Sequence, residues 1–133
     1  MENISILRKK VYDLNKRRLD AINRVINTKP YIAAQVYERY KKCGSPNCKC
    51  AKGELHGPYL WLYQKKKGQK VVSTTVVKGK AAEAKEMARR YEELSRLRQQ
   101  IRETDQKINE LLNEYEAHME KEAAEYVSRK EKA

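Results

Sequence analysis

Three cysteines and one histidine crowd into a single short stretch: Cys43, Cys48, Cys50 and His56, separated by four, one and five intervening residues. Three thiolates and one imidazole are a common complement for a closed tetrahedral zinc site. The residues between them suit a chain that must double back, because Gly44, Pro46, Asn47, Gly53 and Gly57 all favour turns. Cys48-Lys49-Cys50 needs such a turn, since an extended backbone would aim the two sulfurs at opposite faces. Lys41, Lys42, Lys49 and Lys52 surround the run with positive charge, which suits thiolate ligands. The spacing departs from the paired C-x2-C pattern of ordinary zinc ribbons. One structural zinc per chain is the leading expectation, with a metal-free turn or a redox or iron–sulfur role as the alternatives. Glu54 or His118 could replace His56 as the fourth ligand, but Glu54 is a harder donor and His118 lies far along the chain. A catalytic zinc would need an open coordination position and a nearby general base. Nothing in the sequence clearly fills the base role, so no enzymatic activity is expected.

These ligands must be positioned by a small scaffold. The chain has 133 residues, 40% apolar and 36% charged, with no Phe, which suits long helices with narrow apolar stripes better than a wide core. The expected class is α+β: an N-terminal basic amphipathic helix (residues 1–30), a zinc-stapled module of three antiparallel strands (31–78), and a long C-terminal coiled-coil helix (79–133). In the first segment Ile4, Leu7, Val11, Leu14, Ala21, Ile22 and Val25 form one stripe on a 3.6-residue period, with Arg18 also on it. Asn3 or Ser5 can cap its start, and Asn27-Thr28-Lys29-Pro30 ends it, because proline disfavours helical geometry in the residue before it. From Val36 to Lys41 the period shortens to two, with Tyr37, Arg39 and Lys41 on one side and Val36, Glu38 and Tyr40 on the other. Tyr59–Tyr63 and Val71–Val77 read as the next strands, joined by a lysine-rich hairpin. So small a sheet needs a metal or a helix to hold it.

From Lys80 onward no Gly or Pro interrupts the chain. Met87, Leu94, Ile101, Ile108 and Tyr115 recur every seven residues, and Tyr91, Leu112, Met119 and Tyr126 fall at companion positions that Arg98 and Asp105 interrupt. The first helix is about half as long as this one, so the excess stripe leads to the expectation of a homodimer through the long helix, against a monomeric antiparallel hairpin.

Charge is distributed unevenly. Residues 1–70 hold 17 Lys plus Arg against 5 Asp plus Glu, whereas residues 71–133 hold 13 of each, so the whole net charge of +12 lies in the first half. Such asymmetry points to a polyanion partner. The phosphate contacts expected are Arg8, Lys9, Lys10, Arg17, Lys41, Lys42, Lys49, Lys65, Lys66 and Lys67. Tyr37, Tyr59, Trp61 and Tyr63 either stack on bases or pack beneath the flanking helices. The leading reading is a nucleic-acid-binding protein, DNA before RNA, with largely sequence-independent contacts. The competing reading is a coiled-coil interaction adaptor or accessory subunit that docks through its long helix. Absence of an apolar block at the start and of any run near the ~20 residues that span a bilayer leads to a cytoplasmic expectation.

The run from Tyr40-Lys41-Lys42-Cys43-Gly44 through Cys48-Lys49-Cys50 to His56-Gly57-Pro58-Tyr59, followed by a hydrophobic strand, resembles a family of short uncharacterised prokaryotic proteins often met near mobile genetic elements. The likeness covers roughly residues 36 to 77. It implies a recurring zinc-hairpin module and leaves the activity open.

Overall fold

A computed structural model describes residues 3–65 and 70–127. The elements follow in the expected order: helix α1 (Ile4–Ile26), strand β1 (Gln35–Lys41), a 3-10 turn (Lys49–Lys52), strands β2 (His56–Lys65) and β3 (Val71–Thr75), and helix α2 (Ala81–Ala123), extended by a short 3-10 turn (Ala124–Tyr126). The three strands form one antiparallel sheet in the order β1-β2-β3. Contacts divide the chain into two compact units. One joins α1 to α2 from Ser95 onward, and the other spans Thr28–Leu94. The segments 1–30, 31–78 and 79–133 read from the sequence follow element order, whereas α2 contributes to both units in space.

In the helical unit, the Asn3 side chain accepts from the Ser5 amide at 2.7 Å and caps α1, while Asn27 closes it. The stripe read from the sequence faces inward: Leu7 is 0% exposed, Ala21 is buried, and Ile4, Val11, Leu14, Ile22 and Val25 are half-buried. Leu7 borders a groove with Leu112 and Tyr115, Leu14 one with Lys107 and Leu111, and Ala21 one with Gln100 and Thr104. As numbering rises in α1 it falls in α2, so the two run antiparallel.

The companion row on α2 differs from expectation. Leu97 is buried and Thr104, Leu111 and His118 are half-buried, whereas Arg98 and Asp105 are exposed and Leu112 is 43% exposed. Positions three and four after each heptad residue lie close together on a helix. Solvation decides between them: charged Arg98 and Asp105 turn outward, and Leu97 and Thr104, one position earlier, turn in. Asp105 does not break a seam, because its carboxylate accepts from the Arg18 guanidinium of α1. Part of the stripe on α2 faces α1, and Ala84, Ala88 and Leu94, earlier in the same helix, are buried in the other unit.

In the sheet unit, register places Tyr37 opposite Trp61 and Trp61 opposite Thr75, with Val36, Leu62 and Thr74 aligned on the other face. Leu60 and Leu62 are buried. Their face also carries Glu38, which accepts from Lys85 of α2 at 2.8 Å. Further ties to the same helix run through the Ile32 amide, which donates to the Met87 carbonyl, through Arg90, which donates to the Pro30 carbonyl, and through Tyr31 stacked on Tyr91. The leucine face is thus the inner one. Among the described residues, no helix is long and apolar enough to cross a membrane.

Candidate metal centre and the open face of the sheet

The connection between β1 and β2 is the cysteine loop. Lys41 and His56 are the last residues paired across these strands, so the ladder itself brings Cys43, two residues past Lys41, alongside His56. The chain between them folds into the 3-10 turn, with Cys48 just before it and Cys50 inside it. That turn removes the alternation of an extended backbone and lets both sulfurs face one point. Gly53 then ends it in the left-handed conformation, at φ +106°.

The ligand atoms of Cys43, Cys48, Cys50 and His56 all lie within 4.8 Å of one another. Cys43 Sγ is 3.4 Å from Cys50 Sγ, and Cys48 Sγ is 3.0 Å from His56 Nε2. A tetrahedral ion with metal–sulfur bonds of about 2.3 Å and a metal–nitrogen bond of about 2.0 Å would separate its ligands by roughly 3.5–3.8 Å. The four groups are therefore close enough to bind one metal ion with small adjustments. Cys50 is 1% exposed, and its sulfur accepts from the Cys43 amide at 3.3 Å. All three cysteines are free thiols. Of the candidate fourth ligands, His56 completes the cluster, whereas neither Glu54 nor His118 joins it. His118 instead lies 3.6 Å from Glu122, one turn along α2.

A register shift aims His56 at this site. Between the pairs Arg39–Tyr59 and Lys41–His56, β1 advances two residues and β2 three, so the extra residue lies in β2 at Gly57-Pro58. Proline, which cannot donate to a ladder, is tolerated at such a bulge. Gly57 has φ +138°, and a Cβ there would stand 2.8 Å from the Arg39 carbonyl oxygen and 3.0 Å from Tyr40 Cδ1. Only glycine lets the strands approach this closely beside the ligand.

The outer face of the sheet carries Tyr37, Tyr59, Trp61 and Tyr63. Arg39 lies over the rings of Tyr37 (5.0 Å) and Trp61 (5.5 Å), and Lys41 over Trp61 (5.0 Å) and Tyr59 (5.9 Å). Tyr59 and Tyr63 are 45% and 39% exposed. Trp61 Nε1 is buried with no hydrogen-bond partner among the described residues. No Asp or Glu occupies a position on this face of any strand. Arg39 was not among the contacts expected from the sequence, although its alternation with Tyr37 and Lys41 carries the signal.

The expected phosphate contacts fall on both units. Lys41, Lys42, Lys49 and Lys65 are exposed on the sheet and its cysteine loop, while Lys66 and Lys67 lie outside the described residues. Arg8, Lys9, Lys10 and Arg17 are exposed on α1. Lys10 and Arg17 border a groove that also contains Asp13, Glu110 and Glu114, so carboxylates offset their charge locally.

A family model described as a domain of unknown function (DUF6788) matches residues 9–89, more than half of the chain. No curated protein and no solved structure matches it.

Proposed function

This chain belongs to the DUF6788 family, and we propose that it is a non-enzymatic nucleic-acid-binding protein whose Cys3His cluster holds one structural zinc ion. Three thiolates and an imidazole fill four positions, which leaves none open for a substrate. A sulfur-rich tetrahedral set also suits zinc better than magnesium or calcium. When bound, the ion supplies a crosslink between the end of β1, the 3-10 turn and the start of β2.

The observation that carries the nucleic-acid reading is charge placement. Residues 28–80 hold 12 Lys plus Arg against 2 Asp plus Glu, and one of the two acids, Glu38, is already bound to Lys85. The exposed lysines of this module meet phosphates, DNA before RNA, with little dependence on sequence. An association with mobile genetic elements, implied by the family resemblance, fits such a role. Changing Lys42, Lys49 and Lys65 together to Glu is expected to weaken binding to every 20-nucleotide probe and to lower the salt slope by about 3, roughly one per lysine lost. Fluorescence anisotropy across a salt series measures both. Unchanged affinity and slope would rule out this surface.

Self-association is a separate component of the proposal. Tyr12 and Leu19 of α1, seven residues apart, and Leu112 of α2, which borders one groove with Tyr12, remain exposed on the helical unit, and a second copy, paired as a coiled coil, would cover them. Light scattering should then give twice the 15.6 kDa chain mass. A monomer mass at all concentrations would remove the dimer, and the same residues would be left to the adaptor reading.

A further inference from the structure

We infer that the outer face of the sheet is a stacking platform for single-stranded nucleic acid, on which Tyr59, Trp61, Tyr63 and Tyr37 carry bases while Arg39 and Lys41 take the flanking phosphates. The inference rests on the nucleic-acid reading above and goes beyond it in naming the strand state and the contacts that select it.

The first support is ring spacing. Tyr59, Trp61 and Tyr63 alternate along β2, so their side chains recur every two residues, about 6.6 Å apart. That is roughly twice the 3.4 Å per base along one strand of a duplex. Each ring is therefore matched to a base that has been lifted from its neighbours, which a single strand provides and a duplex does not. Tyr37, paired across from Trp61, lies 6.2 Å from Tyr63 in a tilted arrangement and widens the surface.

Charge is the second support. The cations of this face lie directly over the rings, and no carboxylate on the face holds them there. Both Arg39 and Lys41 are exposed and sit on long flexible stems. A phosphate is a stronger partner for either than a ring face. A bound strand would thus draw the cations aside and free the rings they cover.

The third support is the orphan indole. Trp61 Nε1 lies buried and unpartnered, although a buried indole N–H usually finds an acceptor. A base carbonyl or phosphate oxygen brought onto this face can accept from it. A membrane surface would take cations and aromatic rings too, but it would use neither the ring pitch nor the orphan donor in this ordered way.

Trp61 is the only tryptophan, so its fluorescence reports on this face alone. The full-length protein is titrated with oligo(dT) and oligo(U) of 20 nucleotides, with a duplex of equal length, with heparin, and with phosphatidylserine vesicles. Quenching by either single strand is expected, with duplex and heparin binding weakly and leaving emission unchanged; whichever strand binds tighter separates DNA from RNA. Tyr59→Ala and Tyr63→Ala, at the two most exposed rings of this face, should each lower single-strand affinity about ten-fold, with heparin affinity unaffected. Equal quenching by duplex or heparin, or full affinity in both variants, would overturn the platform while leaving phosphate-directed binding intact. Failure to bind any polyanion would overturn both readings. A blue shift on vesicles without response to oligonucleotides would overturn the platform in favour of a lipid surface.

Discussion

Replacing Cys50 by serine is expected to unfold Thr28–Leu94 while α1 and the second half of α2 stay helical. Cys50 is the most buried ligand, and its sulfur faces both Cys43 Sγ and the Cys43 amide. Serine is a poor ligand for zinc and would leave three groups, insufficient for a closed site. A structural zinc of this type contributes about 10–16 kcal/mol in small peptides at neutral pH, which matches or exceeds the 5–15 kcal/mol or so that stabilises a whole domain. Among the described residues, the apolar ones buried in this unit besides Cys50 are Ala34, Leu60, Leu62, Ala84, Ala88 and Leu94, half of them alanine. Such a core does not hold a three-stranded sheet by itself. Amide spectra should lose the dispersed strand signals, with most far-ultraviolet helical signal retained. A folded sheet with unaltered melting in Cys50→Ser would show that the loop needs no metal.

Gly57→Ala should produce the second largest loss. Its φ of +138° is a region that side chains rarely adopt, and the added Cβ would meet backbone, the Arg39 carbonyl at 2.8 Å, rather than a movable side-chain end. Strain and displacement together cost about 2–4 kcal/mol, and relief by separating the strands would pull His56 from the cluster. Gly53→Ala offers a comparison, because φ is also positive there, at +106°, but nothing lies within 4 Å of the new Cβ. That change should cost about 1–2 kcal/mol, the left-handed penalty alone. Denaturant unfolding with zinc present should rank Gly57→Ala as the more damaging and zinc affinity should fall in it. Equal losses at both positions would mean that the bulge does not hold the ligand.

Much of this architecture was legible in residue spacing. The α1 stripe, the three strands and the four converging ligands follow from periods of 3.6 and two and from the density of turn-forming residues. What spacing could not show is which side of a surface is covered. In β2, leucine and aromatic residues alternate, and both sets are apolar enough to be buried. The leucines face inward, on the side where Glu38 accepts from Lys85 of α2, a pairing visible only once the two elements are placed together. The companion row on α2 differs within the single chain for a related reason, since charged Arg98 and Asp105 are exposed while Leu97 and Thr104, one position earlier, are covered. β2 begins at His56 rather than Tyr59, because Gly57-Pro58 has the composition of a turn but serves as a bulge within a strand. β3 stops at Thr75, short of the β-branched run that continues to Val77.

Elemental analysis of freshly purified protein, repeated after dialysis against a chelator, tests the metal-held sheet most directly. One zinc per chain before dialysis, and loss of strand signals as zinc is removed, is the result predicted. Metal-free protein whose sheet and melting temperature are the same with and without chelator would contradict it.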